Sequence, residues 1–256
     1  YMSTSIGGVG NYVSEAFATV FGGSGNTAIG NYSFTGGGNA NTAIGRLSTI
    51  IGGYGNLAQG DFSSVNAGWT NAAVGYSALV VGGSGNTVGG DYASIVGGMS
   101  NTAAGDWAFV IGGNANTATG SYASIQGGAS NTASGSGAFV GGGIGNYASG
   151  SDAAITGGNG NIALGDDSAV AGGEFNTAGG DAAVVGGGTN NIAGGDSSFV
   201  GSGDTNTIDG DYSAIGGGYF NTVTGSGTTV AGGSWSTVSG SYDSIFGGYD
   251  HIISAD

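Results

Sequence analysis

The chain has 256 residues, 63 of them Gly, with no Pro and no Cys, and a net charge of −15 in which Arg46 is the single Lys or Arg. No Gly-X-Y triplet accompanies the Gly, which excludes collagen, and the 39% of hydrophobic residues recur on schedule, which excludes a flexible linker. Such an acidic chain is repelled by nucleic acid and anionic membranes, and no apolar run approaches the ~20 residues of a membrane helix.

From the N-terminus, Gly-Gly stands at 7–8, 22–23, 37–38 and 52–53, and the pair returns every fifteen residues as far as 247–248. Ala67-Gly68 and Ser202-Gly203 take its place twice, and there is no insertion or deletion. The consensus is G-G-x-x-N-T-A-x-G-D-Y-S-x-V-x, with Gly112 to Gln126 as a good copy. Repeat positions below are counted from the first Gly of the pair. A fixed period of this kind marks a repeat architecture. Fifteen residues are too few for a helix with its turns and suit one coil of a solenoid. The expected fold is all-β, a parallel β-solenoid of seventeen rungs with two short strands per rung, forming one repeat domain over 1–256.

The first strand of each repeat is N-T-A-x-G and the second is S-x-V-x-G, both alternating with period two. Alternation turns Asn, Ala and Gly of the first strand inward. Asn fills this position in every copy from Asn11 to Asn221, and only Ser236 and His251 replace it. Asn101, Asn116, Asn131, Asn146, Asn161, Asn176 and Asn191 are therefore expected to form a ladder, since stacked amides can bond from rung to rung. His251 reads as a structural substitute in that ladder. In the second strand a small residue and a Val or Ile point inward, as in the column Val80, Ile95, Val110, Ile125, Val140, Ile155 and Val170.

Aromatic residues recur just before the second strand, at Phe17, Tyr32, Phe62, Tyr92, Trp107, Tyr122, Tyr212 and Tyr242. They read as a stacked column over a corner, with a sugar- or protein-binding stripe as the alternative. One position earlier, Asp166, Asp181, Asp196 and Asp211 follow in successive rungs. Solvated turn residues are the plain reading; a calcium site is the alternative, because stacked carboxylates repel unless screened or bridged by a hard cation.

Asn131-Thr132-Ala133-Ser134-Gly135 and Ser213-Ala214-Ile215-Gly216-Gly217 resemble the head repeats of trimeric autotransporter adhesins of the YadA-like type. The resemblance runs along the whole chain. It implies a left-handed parallel β-roll, a homotrimer, an extracellular or cell-surface location, and adhesion to a host matrix protein or glycan. The chain departs from that family in showing no neck, coiled-coil heptads or membrane anchor. Asn221-Thr222-Val223-Thr224-Gly225 and Ser236-Thr237-Val238-Ser239-Gly240 resemble more loosely the x-x-N-x-V-x-G repeat of grass ice-binding rolls. Under that reading the outward array Thr87, Thr102, Thr117 and Thr132 would meet ice.

The outward positions of the second strand carry Phe34, Ile51, Leu79, Val81, Val96, Phe109, Ile111, Phe139 and Phe199. A lone soluble roll should not expose such a stripe, so it is expected to be a self-association face. The chain begins and ends at one phase of the repeat, which reads either as a piece of a longer fibre or as a subunit stacking end to end into a filament.

Enzymatic chemistry is not expected. Without Lys there is no Walker A motif or Schiff base, and one His without Cys disfavours zinc. Asp166-Asp167 reads as turn chemistry, because a glycosidase needs a walled cleft. The expected function is an extracellular structural or adhesive fibre segment. A secreted ice-binding protein and a viral tail-fibre domain are the alternatives.

Overall fold

The computed structural model describes residues 2–254. Among them are thirty-four strands of two residues each and no helix. Within each compact unit every strand pairs in parallel with the strand fifteen residues away. In the first-strand ladder Thr27 and Ala28 face Thr42 and Ala43; in the second, Phe34 and Thr35 face Thr49 and Ile50. The chain is thus a parallel β-solenoid of about seventeen turns with two short strands per rung.

It divides into two compact units, Tyr1–Ala129 and Ser130–Asp256. The repeat passes from Ala129 to Ser130 with no change of period. Both units are built alike.

Alternation decides the core. In the first unit Val20, Ile50, Val65, Val80, Ile95, Val110 and Ile125 are fully buried, facing the small Ala28, Ala43, Ala58, Ala73 and Ala103. In the second, Val140, Ile155, Val185, Val200, Ile215 and Val230 do the same against Ala148, Ala163, Ala178 and Ala193. A buried Val or Ile contributes about 1.5–3 kcal/mol, but only once neighbouring rungs cover it.

A third ladder, one residue wide, runs through repeat position 3. Val9, Ser24, Asn39, Tyr54, Trp69, Ser84, Met99, Asn114 and Ala129 form parallel bridges in the first unit, and Ile144 to Tyr249 do so in the second. The turn after Gly-Gly is therefore itself hydrogen-bonded from rung to rung, as from Ser24 N–H to Gly38 C=O at 2.9 Å.

The two glycines of each pair have different duties. The second has positive φ throughout, 91° at Gly83, and a Cβ there would land on the carbonyl oxygen of Gly98 and on the Asn86 amide. The first meets open space at Gly22, Gly37, Gly52 and Gly82. That is why Ala67 and Ser202 are accepted at the first position while the second is invariant.

Candidate binding and assembly faces

The Asn column lies inside the roll: Asn101, Asn116, Asn131, Asn161, Asn176 and Asn191 are fully buried and Asn146 is 1% exposed. The ladder runs mainly through the backbone rather than from amide to amide. Asn101 Nδ2 donates to Gly97 C=O at 3.1 Å in its own turn and to Gly113 C=O at 3.1 Å in the next. Its Oδ1 accepts the Asn116 backbone N–H at 3.0 Å. Amide-to-amide bonds add to this at a few rungs, as from Asn191 Nδ2 to Asn176 Oδ1 at 3.1 Å. One side chain thus satisfies two carbonyls and one N–H of the Gly-Gly corner, which a buried backbone needs. Ser236 Oγ, in the same column, is buried without a partner. His251 stands exposed in that column.

The Asp column is a second ladder of the same kind, on the outside. Asp181 Oδ1 accepts the Asp166 N–H at 3.1 Å, Asp196 that of Asp181 at 3.0 Å, and Asp211 that of Asp196 at 3.0 Å. Asp166 caps Ser151 in turn at 2.8 Å. Each carboxylate closes the corner N–H of the preceding rung, a reason for Asp that requires no cation. The described residues contain no group of three or more His, Cys, Asp or Glu side chains that could hold a metal ion. The structure places the four Asp as backbone caps along one outer corner. Arg46 is spent locally, 3.7 Å from Asp61 and over the Phe62 ring at 5.0 Å.

The aromatic column sits at a left-handed corner, with φ of 58° at Tyr92, 61° at Trp107 and 60° at Tyr122. Its rings use their faces on one another. Tyr92 and Trp107 stack at 4.3 Å and 9°, Trp107 and Tyr122 at 6.4 Å and 5°, and Phe17 and Tyr32 at 4.8 Å and 14°. A sugar stacks on an open ring face, and these interior faces are already taken; the geometry favours a corner reinforcement. Ser77, a gap by sequence, is bridged by Tyr76 from the adjacent position. Its ring meets Phe62 at 5.3 Å and Tyr92 at 5.4 Å, both edge-on. The second unit has a different aromatic corner, missed by sequence, where Phe220 and Trp235 stack at 4.6 Å and 3° beside Tyr219. Its signal was the pairing of aromatic residues at repeat positions 3 and 4.

Two broad faces remain. The outer face of the first-strand ladder sets Thr87, Thr102 and Thr117 side by side in register, and Thr132 pairs with Tyr147. The outer face of the second-strand ladder holds the apolar stripe. In the first unit Ile51 is 57% exposed, Ile111 43%, Val96 41%, Val81 39% and Phe109 37%, with Phe34 and Leu79 half-buried. In the second, Phe199 is 45% exposed and Phe139 half-buried. No described residue at repeat positions 13 and 15, which make this face, is charged. The acidic residues gather instead at the corners, above all at repeat positions 10 and 11. A shallow open depression, lined by Ser244, Ile245, Phe246, Gly247, His251, Ile252 and Ile253, holds one titratable side chain, His251.

No protein-family model matches this chain, and no curated protein matches it either.

Proposed function

We propose that the chain is a non-enzymatic, extracellular structural or adhesive β-roll segment that works by associating with copies of itself through the outer face of its second-strand ladder. One observation carries this reading: a molecule of net charge −15 keeps that entire face free of charge while exposing Phe, Ile and Val on it. Like-charged copies repel at the acidic corners and can approach only across a neutral face. An apolar stripe of this extent is otherwise a liability in water. The adhesin-head resemblance adds the extracellular setting, a homotrimer as the form of the assembly, and a matrix protein or glycan as the adhesive partner. Sedimentation and light scattering at micromolar concentration test the core of the reading. A complex of two or more chains is expected, and a monomer overturns it.

The register of the first-strand ladder favours a second reading, as a secreted ice-binding protein. Thr87, Thr102 and Thr117 stand in one row at strand spacing, on a face whose one charged residue at repeat positions 6 and 8 is Asp209. Thermal hysteresis by the purified protein is the measurement, and ice growth without any shift rejects this reading.

A further inference from the structure

The self-association face differs in relief between the two units. At repeat position 15 the first unit carries Ile6, Phe21, Ile51, Asn66, Val81, Val96, Ile111 and Gln126, with Gly36 as its one Gly or Ala. The second unit carries Gly141, Ala171, Gly186, Gly201, Gly216 and Ala231 there, interrupted by Thr156 and Phe246. From Phe21 onward these residues project outward, because the residue before each, Val or Ile except for Thr35, is buried. One unit face is therefore raised and the other lowered. Packing equal rungs side by side would press raised faces together and leave the lowered faces apart, with voids that cost contact.

We infer that the raised face of the first unit seats on the lowered face of the second unit of another copy, with the two running in opposite directions. This rests on the self-association reading above, puts antiparallel pairing in place of the three-fold form that the adhesin-head resemblance implies, and adds the partner surface and its orientation. Sliding one face along the other gives a register that matches large to small. Ile51 meets Gly201, Val81 meets Ala171 and Ile111 meets Gly141, stepping up thirty residues in one unit and down thirty in the other. Position 13 follows the same rule in this register: Phe34 falls against Ala214, Leu79 against Ala169, and Thr49 against Phe199. Phe109 against Phe139 and Ile6 against Phe246 set large on large, Thr19 against Thr229 sets like on like, and Gly36 against Gly216 sets small on small. Eight rungs at ~4.8 Å and a face roughly 10 Å wide give on the order of 400 Å² per side for one such contact. Specific complexes bury about 800 Å² per side. Each copy offers one raised and one lowered face, and two such contacts, one through each, reach that size.

The chain has no Cys, so engineered thiols report on a silent background. Val81→Cys and Ala171→Cys, prepared as separate proteins, are mixed and treated with a short bismaleimide; Val96→Cys with Thr156→Cys is the second pair. All four positions carry a Cβ natively, and unchanged circular dichroism melts establish that the variants fold. Each mixed pair is expected to cross-link, and each variant alone is not. Cross-linking of Val81→Cys to itself, with none in the mixture, means parallel packing of equal rungs: it overturns the orientation and leaves self-association standing. A wild-type monomer in sedimentation overturns both.

Discussion

Asn71 Oδ1 accepts the backbone N–H of Asn86, fifteen residues on, at 3.0 Å. Asn86 does the same for Asn101 at 2.9 Å, while its Nδ2 donates to Gly82 and Gly98 at 3.0 Å each. Within each unit the Asn column is thus a continuous zip in which each amide closes the corner of its own rung and of the next.

Replacing Asn86 by Ala strands the Gly82 carbonyl and the Asn101 N–H in a buried corner, and leaves the Gly98 carbonyl with the Ser84 N–H alone. An orphaned buried group costs ~1–3 kcal/mol, so Asn86→Ala is expected to cost about 3 kcal/mol or more in a denaturant titration. Asn86→Ser should do no better, since Ser236 Oγ in this column has no partner and the bond from Ser236 to Asn221 Oδ1 at 3.1 Å uses the backbone N–H, which Ala keeps too. A loss below ~1 kcal/mol for both variants would refute the ladder as a source of stability.

The Asn and Val columns were legible in the sequence because an unbroken period of fifteen turns every recurring residue into a column, and period-two alternation says which side it faces. The third ladder was not, because a bridge one residue wide leaves no alternation to read. The Asp caps were hidden for another reason. The N–H that Asp211 closes belongs to Asp196, fifteen residues earlier, and nothing local marks it as unsatisfied. Tyr76 filling the gap at Ser77 likewise depends on side-chain reach from a neighbouring position.

The glycine pair divides into a tolerant and an intolerant member. Gly82→Ala places its methyl in open space and repeats what Ala67 already does. Gly83→Ala meets the Gly98 carbonyl at a φ of 91°. The expected outcome is a change within about 0.5 kcal/mol for the first and a loss of at least ~3 kcal/mol for the second. Thermal melts of the two variants make the comparison, and similar melting temperatures would contradict it.

Buried hydroxyls of the second strand differ in their partners. Ser48 Oγ has none, whereas Ser213 Oγ donates to Gly225 C=O at 2.8 Å and accepts the Thr228 N–H at 3.0 Å. Ala occupies the same position at Ala78, Ala93, Ala108 and Ala123. Ser48→Ala is therefore expected to be neutral or stabilising by up to ~1 kcal/mol, and Ser213→Ala to destabilise by about 1 kcal/mol or more. Chemical denaturation of the two variants reads the opposite signs.

Trp107 tests what holds the aromatic corner. A residue with φ of 61° is unfavourable unless it is Gly, and Gly137 and Gly227 hold this position in other rungs. Trp107→Gly loses the stack with Tyr92 but relieves the backbone; Trp107→Ala loses the stack and keeps the strain. The Ala variant is expected to be the less stable by roughly 1 kcal/mol, the cost of a left-handed non-Gly residue. A Gly variant as unstable as the Ala variant would place the whole effect in the rings.

The Asp column carries opposing contributions that can be separated. Four carboxylates one rung apart repel, by about 1 kcal/mol per neighbour in water. Each also caps a backbone N–H, which an Asn in its place would still do. Asp196→Asn should therefore match or exceed the wild type in stability. Asp196→Ala should lose the cap on Asp181 and offset part of that loss through relieved repulsion. Salt divides the two effects further, because screening weakens the repulsion between exposed charges and leaves the short hydrogen bond largely in place. The wild type is expected to gain more from 0.5 M sodium chloride than Asp196→Asn does. Adding EDTA should leave both melting temperatures where they were. A fall of several degrees in the wild type alone, restored by calcium, would mean that a cation rather than the backbone holds the column together.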